Sequence, residues 1–229
     1  MRTWPAKLWI APLTLLAVCE CLEAVEPITA DTPWRVFLVC KSQDRHRKEP
    51  VTYTASPPGR WMQPDFDDSG WGRYSSDLTA VVGGYGYEQS SACALLCLRT
   101  RFGVTDPARV RDLTLELEYR GGVVVYVNGQ ELARQHLPEG TLEVQTPAEQ
   151  YPPDALADEY GNPLFRTERP AGENLQQYEK RIRKLSVRVP AGVLRKGGNV
   201  LALQIHAAPD DKIRSGRNTE WNTSISATP

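Results

Sequence analysis

The chain has 229 residues, of which 27 are basic and 28 acidic, for a formal charge of −1 at pH 7. So even a balance supplies no electrostatic footprint for nucleic acid or an anionic membrane surface, and the short basic clusters at 41–48 and 180–184 are mixed with acids, as on solvated loops or helix faces. His46, His136 and His206 stand at no metal-ligand spacing from the cysteines, so the sequence asks for no zinc and implies no cofactor.

Arg2 and Lys7 precede an apolar run from Leu8 to Cys19. About a dozen residues is short for a membrane span of roughly 20, and the pattern reads as a secretory signal peptide over 1–24, cut after Ala24. The predicted location is therefore secreted, periplasmic or cell-surface, with no membrane span. Leu16-Ala17-Val18-Cys19 approximates a lipobox, although Val18 is a poor residue just before a modified cysteine. Residues 25–229 are then sized for one domain with a real core. Three cysteines remain in that span. Cys93 and Cys97 in one extended strand would lie about 13 Å apart, beyond bridging distance. A bond from Cys40 to either needs neighbouring strands, and small buried hydrophobes are the alternative reading of all three.

In chain order, 34–40 (WRVFLVC) reads as a strand, 41–50 as an exposed loop and 51–54 as a second short strand. Pro, Gly and Asp then punctuate 54–77 so heavily that no regular element is expected. Its Trp61, Phe66 and Trp71 are heavy apolar side chains, which predicts a loop packed onto the body of the protein. A Gly-Tyr loop at 82–87 leads to a long strand at 94–104, closed by Asp106-Pro107. Leu113, Leu115, Leu117 and Tyr119 alternate with Thr114, Glu116, Glu118 and Arg120, the period of a half-buried strand. After the break at Arg120-Gly121-Gly122, residues 123–127 form another strand. Asn128-Gly129 fits a two-residue type I′ turn, because both positions need positive φ, and 131–133 return. Six prolines interrupt 137–184, a long insertion with a short helix within 173–184. Strands follow at 185–189, 200–207 and 221–225, with a turn at 190–194. Leu201, Leu203 and Ile205 face in, and Ala202, Gln204 and His206 face the other way. The prediction is an all-β, antiparallel jelly-roll sandwich.

Five segments then line up in one order: PDFDDSGW, GGYGY, LRTRFGV, VVVYVNGQELAR and PAGVLRKGGNVLALQIH. Together they resemble the galactose-binding-like jelly-roll domains, such as the sugar-binding domains of family 2 glycoside hydrolases and accessory modules of secreted bacterial proteins. The match spans Trp61 to His206. The resemblance implies an eight-stranded sandwich that is frequently carbohydrate-binding and not itself catalytic. It transfers no ligand motif, because binding positions in this fold lie on variable loops.

Tyr85 and Tyr87, with Trp61, are the candidate carbohydrate-binding residues, since aromatic faces suit sugar C–H groups and hydroxyls suit hydrogen bonds. Their other reading is aromatics that pin a Gly-rich loop. Asp65, Asp67 and Ser69 open like a calcium loop, yet Ser76 stands where the twelfth-position glutamate belongs, so an EF-hand is rejected. The choice left for them is a structural cation or carboxylates capping a tight turn that seats Trp71. Glu116 and Glu118 lie on one strand face, about 7 Å apart, but an alternating solvent face explains them without catalysis. No G-x-S-x-G, H-E-x-x-H or phosphate loop occurs, and no nucleophile–base set is found. Asn222-Thr223-Ser224 is a glycosylation sequon by pattern. The expectation is an exported, non-catalytic carbohydrate-binding module. The alternative is a structural or protein-interaction module whose partners are other proteins or downstream domains of a larger assembly.

Overall fold

The structure is a computed structural model that describes residues 24–29, 32–41, 55–74, 92–156, 175–209 and 224–226. The expected strand at 51–54, the Gly-Tyr loop with Tyr85 and Tyr87, the leader before Ala24 and the sequon residues Asn222 and Thr223 lie outside the described residues.

Nine strands are described: β1 (Trp34–Lys41), β2 (Gly72–Tyr74), β3 (Ala92–Val104), β4 (Thr114–Tyr119), β5 (Gly122–Val127), β6 (Gln130–Gln135), β7 (Arg183–Arg188), β8 (Gly197–His206) and β9 (Ser224–Ser226). One short helix, α1 (Leu175–Glu179), lies in the insertion. Of the helix expected within 173–184, the described part is Leu175–Glu179, and β7 begins at Arg183. A large sheet runs β2-β1-β3-β8-β5-β6 and a small one β7-β4-β9, and every recorded pairing is antiparallel. The all-β antiparallel sandwich is thus as the alternation of the sequence implies. The small strand β2 is an element that the punctuated loop concealed.

The central alternation behaves as read. Leu115, Leu117 and Tyr119 of β4 are buried while Glu116 is exposed and Glu118 half-buried. The turn after β5 has φ of 52° at Asn128 and 84° at Gly129, and Val127 faces Gln130 across it, as a two-residue turn of this hand requires. Asn128 has a second task. Its amide nitrogen donates to Val193 O (2.8 Å) and Asn199 Oδ1 (2.7 Å), and its Oδ1 accepts from Val200 N (3.0 Å). The hairpin is thereby tied to the start of β8.

β4 and β5 are consecutive in sequence but belong to different sheets. The break at Gly121-Gly122 is therefore the crossing between layers, and the packing there explains both glycines. A Cβ at Gly121, whose φ is +83°, would meet His206 O at 2.0 Å, and one at Gly122 would meet His136 O at 2.6 Å. Only glycine lets the backbones pass so closely.

The inter-sheet core gathers Val36, Leu96, Leu98, Leu115, Leu117, Val123, Val125, Leu201, Leu203 and Ile205, among others. Each such buried side chain contributes about 1.5–3 kcal/mol relative to exposure. A second core covers the outer face of the large sheet, where Val39, Leu95, Cys97, Val200 and Ala202 pack against Trp61 and Trp71. Leu201, Leu203 and Ile205 do face in, but the opposite face is not wet: Ala202 and His206 are also fully buried. At the N-terminal edge, Ala24 O accepts from Thr105 N (2.9 Å) and Glu26 N donates to Gly103 O (2.8 Å). Val25 bridges Val104, and Ala24, Val25 and Ile28 are buried members of the inter-sheet core. The boundary expected between 24 and 25 falls inside this pairing.

Candidate functional site

The loop that carries four of the expected site residues, Trp61, Asp65, Asp67 and Ser69, is held from below chiefly by one arginine. Arg99 projects from β3 and is 1% exposed. Its Nε donates to Asp68 Oδ2 (2.8 Å), its Nη1 donates to the carbonyls of Trp61 and Gln63, and its guanidinium lies 5.2 Å from the Phe66 ring centre. Arg35 adds a donor to Trp71 O (3.2 Å). Trp71 is ringed by Phe37, Trp61 and Phe66 at centroid distances of 5.1, 5.7 and 5.6 Å. Trp61 is only 4% exposed, so its indole packs in the second core and offers no face to a ligand. The loop is packed onto the sheet, as its aromatic content predicts.

The acidic turn in this loop is also committed. Asp67 Oδ1 accepts from Ser69 N (2.9 Å), and that bond holds the Asp67 carboxyl below the usual carboxylate range. Asp65 approaches Arg60 at 3.5 Å, and Asp68 is taken by Arg99 and Arg35. Asp67 therefore does what the turn-capping reading requires. Among the described residues no group of three His, Cys, Asp or Glu side chains is arranged to hold a metal ion. Glu118 pairs with Lys184 across β4 and β7 (2.6 Å), an ordinary exposed cross-strand ion pair.

A different group of polar and aromatic side chains meets at the rim where β6 ends, the insertion begins and β7 starts. His136 follows β6 with φ of 56°, a conformation uncommon outside glycine and one that turns the chain sharply. Its Nδ1 lies 2.7 Å from Glu149 Oε2, and Glu149 N donates back to His136 O (2.9 Å). This contact holds the Glu149 carboxyl below its usual range, with Arg183 adding to the effect. Arg183, the first residue of β7, donates to Gly121 O (2.7 Å), Glu149 O (2.8 Å) and Gln150 O (3.4 Å). Its guanidinium lies 4.6 Å from the Tyr151 ring centre, and the Tyr151 hydroxyl accepts from Gly121 N (2.7 Å). Both backbone polar groups of the crossing glycine are thus served by rim side chains. Beneath them Tyr119 donates to Gln135 (3.0 Å), and its burial pushes the phenol up to about 12.

The rim differs from the tryptophan loop in access. The His136 side chain is 34% exposed and that of Glu149 66%, and Tyr151 and Arg183 are half-buried. A carboxylate, an imidazole, a guanidinium and a phenol at one accessible edge supply donors, acceptors and an aromatic ring to a polar ligand. No local sign of this grouping stands in the sequence, since its members come from three separate segments. The double glycine at 121–122 is the one signal that marks where they converge. A concavity at the edge of the inter-sheet core is lined by Val25, Ile28, Phe102, Leu113, Val127 and Val189, among others. Its walls are apolar and unsuited to a polyhydroxylated ligand. Among the described residues no helix is long and apolar enough to cross a membrane.

No family model matches the sequence, and no curated protein matches it. Solved structures similar to the chain include Bacteroides uniformis beta-glucuronidase 2 covalently bound to cyclophellitol-6-carboxylate aziridine, at 12% identity, 90% of this chain, 18% of that one and a TM-score of 0.48. A glycosyl hydrolase family 2 member from Bacteroides cellulosilyticus shares 11% identity over 90% of this chain and 21% of its own, with a TM-score of 0.43. Ruminococcus gnavus beta-glucuronidase shares 10% over 81% and 22%, with a TM-score of 0.41. The chain spans about a fifth of the length of these enzymes. At such identities and scores, no residue role passes from them to this chain.

Proposed function

We propose that this protein is an exported, non-catalytic carbohydrate-binding module whose ligand rests on the rim formed by His136, Glu149, Tyr151 and Arg183. The observation that carries the reading is the grouping itself: planar polar side chains and a tyrosine, fixed by backbone hydrogen bonds and accessible at one edge of a rigid sandwich. Pre-positioned donors and acceptors recognise sugar hydroxyls without first having to order. The signal-like leader and the sequence resemblance to galactose-binding-like domains support the same reading. Tyr85 and Tyr87 remain the second proposed contact, on a loop outside the described residues.

Calorimetry of the mature protein against a panel of soluble polysaccharides tests this. At least one glycan is expected to bind, and Glu149→Gln combined with His136→Ala is expected to weaken it roughly tenfold, the loss of about one charge-assisted hydrogen bond. A panel without a binder removes the reading. Binding that survives the rim changes but disappears in Tyr85→Ala/Tyr87→Ala moves the site to the Gly-Tyr loop. A single stoichiometric protein captured by the module, with retention indifferent to glycans, would favour a protein-interaction module instead.

A further inference from the structure

We propose that Cys40 and Cys93 form a disulfide that staples β1 to β3. The observation is one of register. From Arg35 to Val39, β1 pairs with Arg99 to Leu95 of β3 in regular antiparallel order, so the next residue, Cys40, would ordinarily face Ala94. The pairing slips at this point, between Val39 and Cys40, and Cys40 faces Cys93 instead. Ala94 is the extra residue of a bulge, and its effect is to set one cysteine directly opposite another.

Directly opposed residues of an antiparallel pair share a face, with Cα atoms about 4.5–5.5 Å apart. Disulfides join Cα atoms about 4.4–6.8 Å apart. The other pairings are worse. Cys97 faces Phe37, and Cys93 to Cys97 spans about 13 Å of strand. Bulges re-aim or terminate pairing at defined points, and this one falls near the ends of both strands, where a cross-link has most fraying to prevent.

Formation needs a disulfide donor, for which oxidised glutathione serves. The thiolate of one cysteine attacks a donor sulfur, forms a mixed disulfide and releases one glutathione thiolate. The second cysteine thiolate attacks the mixed disulfide and releases the other. Two thiols of the protein are oxidised by two electrons, and one donor disulfide is reduced to two thiols that take up the two protons. The closed loop contains everything from Lys41 to Ala92, including the segment that carries Trp61 and Trp71. Both ends of that segment are then fixed independently of the second core.

The test is peptide mapping of the full chain after equilibration with excess oxidised glutathione, alkylation and digestion at Lys and Arg without reduction. The expected species is peptide 36–41 joined to peptide 74–99, two hydrogens lighter than their sum. Peptide 74–99 also contains Cys97, so the deciding protein is Cys97→Ser, in which the joined species must persist, while Cys93→Ser must abolish it. Loss of the joined species from Cys97→Ser overturns the proposal, as does its absence from the unmodified chain. As an independent reading, reduction is expected to lower the thermal midpoint of the Cys97→Ser protein by roughly 10 °C. An unchanged midpoint would count against the staple.

Discussion

Arg99 and Arg183 do similar things in different surroundings. Each lies near an aromatic ring, at 5.2 Å from Phe66 and 4.6 Å from Tyr151, and each donates to carbonyls of a loop that would otherwise have no regular partner. Arg99 is sealed beneath that loop with Asp68 as its counter-ion. Arg183 is half-buried, next to an accessible carboxylate. Where water no longer reaches a charge, removing it leaves its partners stranded. At the accessible edge, water replaces what is lost. The same residue type is thus a structural pin in the tryptophan loop and a presenter of polar groups at the rim. Burial, and not composition, separates the two.

The contrast is broken most severely at Arg99. Arg99→Met is expected to cost about 3–5 kcal/mol, because it leaves two loop carbonyls without their donor and the Asp68 carboxylate with only the more distant Arg35. Arg183→Met should cost only about 1 kcal/mol, and urea unfolding of the two variants checks the ratio. Equal losses would show that the rim is as structural as the loop.

His206 tests the joint between these regions. Its Nδ1 meets Thr146 O at 2.8 Å and its Nε2 meets Gln204 at 2.8 Å. Burial pushes its pKa down from 6.5 to about 4, with Arg134 adding to the effect. The unfolded chain gains a proton near pH 6.5 and the native protein only near 4. The stabilising contribution is therefore complete above pH 6.5 and lost as pH falls to about 4, on the order of 3 kcal/mol in all. His206→Gln should flatten this part of the stability–pH curve, and an unaltered slope would locate the titration elsewhere.

Much of the sandwich was legible because a buried face writes itself into a strand with period two. Leu115, Leu117 and Tyr119 marked β4, and Asn128-Gly129 marked the turn through its demand for positive φ. Which sheet a strand joins leaves no such trace. Nothing in the run from Leu113 to Val127 distinguishes a hairpin from a crossing between layers, since both need a break, and the two glycines were explained only by the carbonyls of His206 and His136 close against them. The second core was half visible. Trp61 and Trp71 announced that something would be covered, whereas the solvent-like pattern of Ala202, Gln204 and His206 concealed what. The rim was hidden for a different reason. His136, Glu149 and Arg183 are brought together by a turn and a layer crossing, and neither has a period.

The N-terminal pairing ties the residues at 24–26 to the end of β3. A leader peptidase acting after Ala24 would delete the carbonyl that holds Thr105 N and would place a new ammonium group on Val25, a residue only 7% exposed at the edge of the inter-sheet core. A charge in that position carries a desolvation cost. Both the Ala24 carbonyl and the neutral amide of Val25 belong to the pairing that closes this edge of the sandwich.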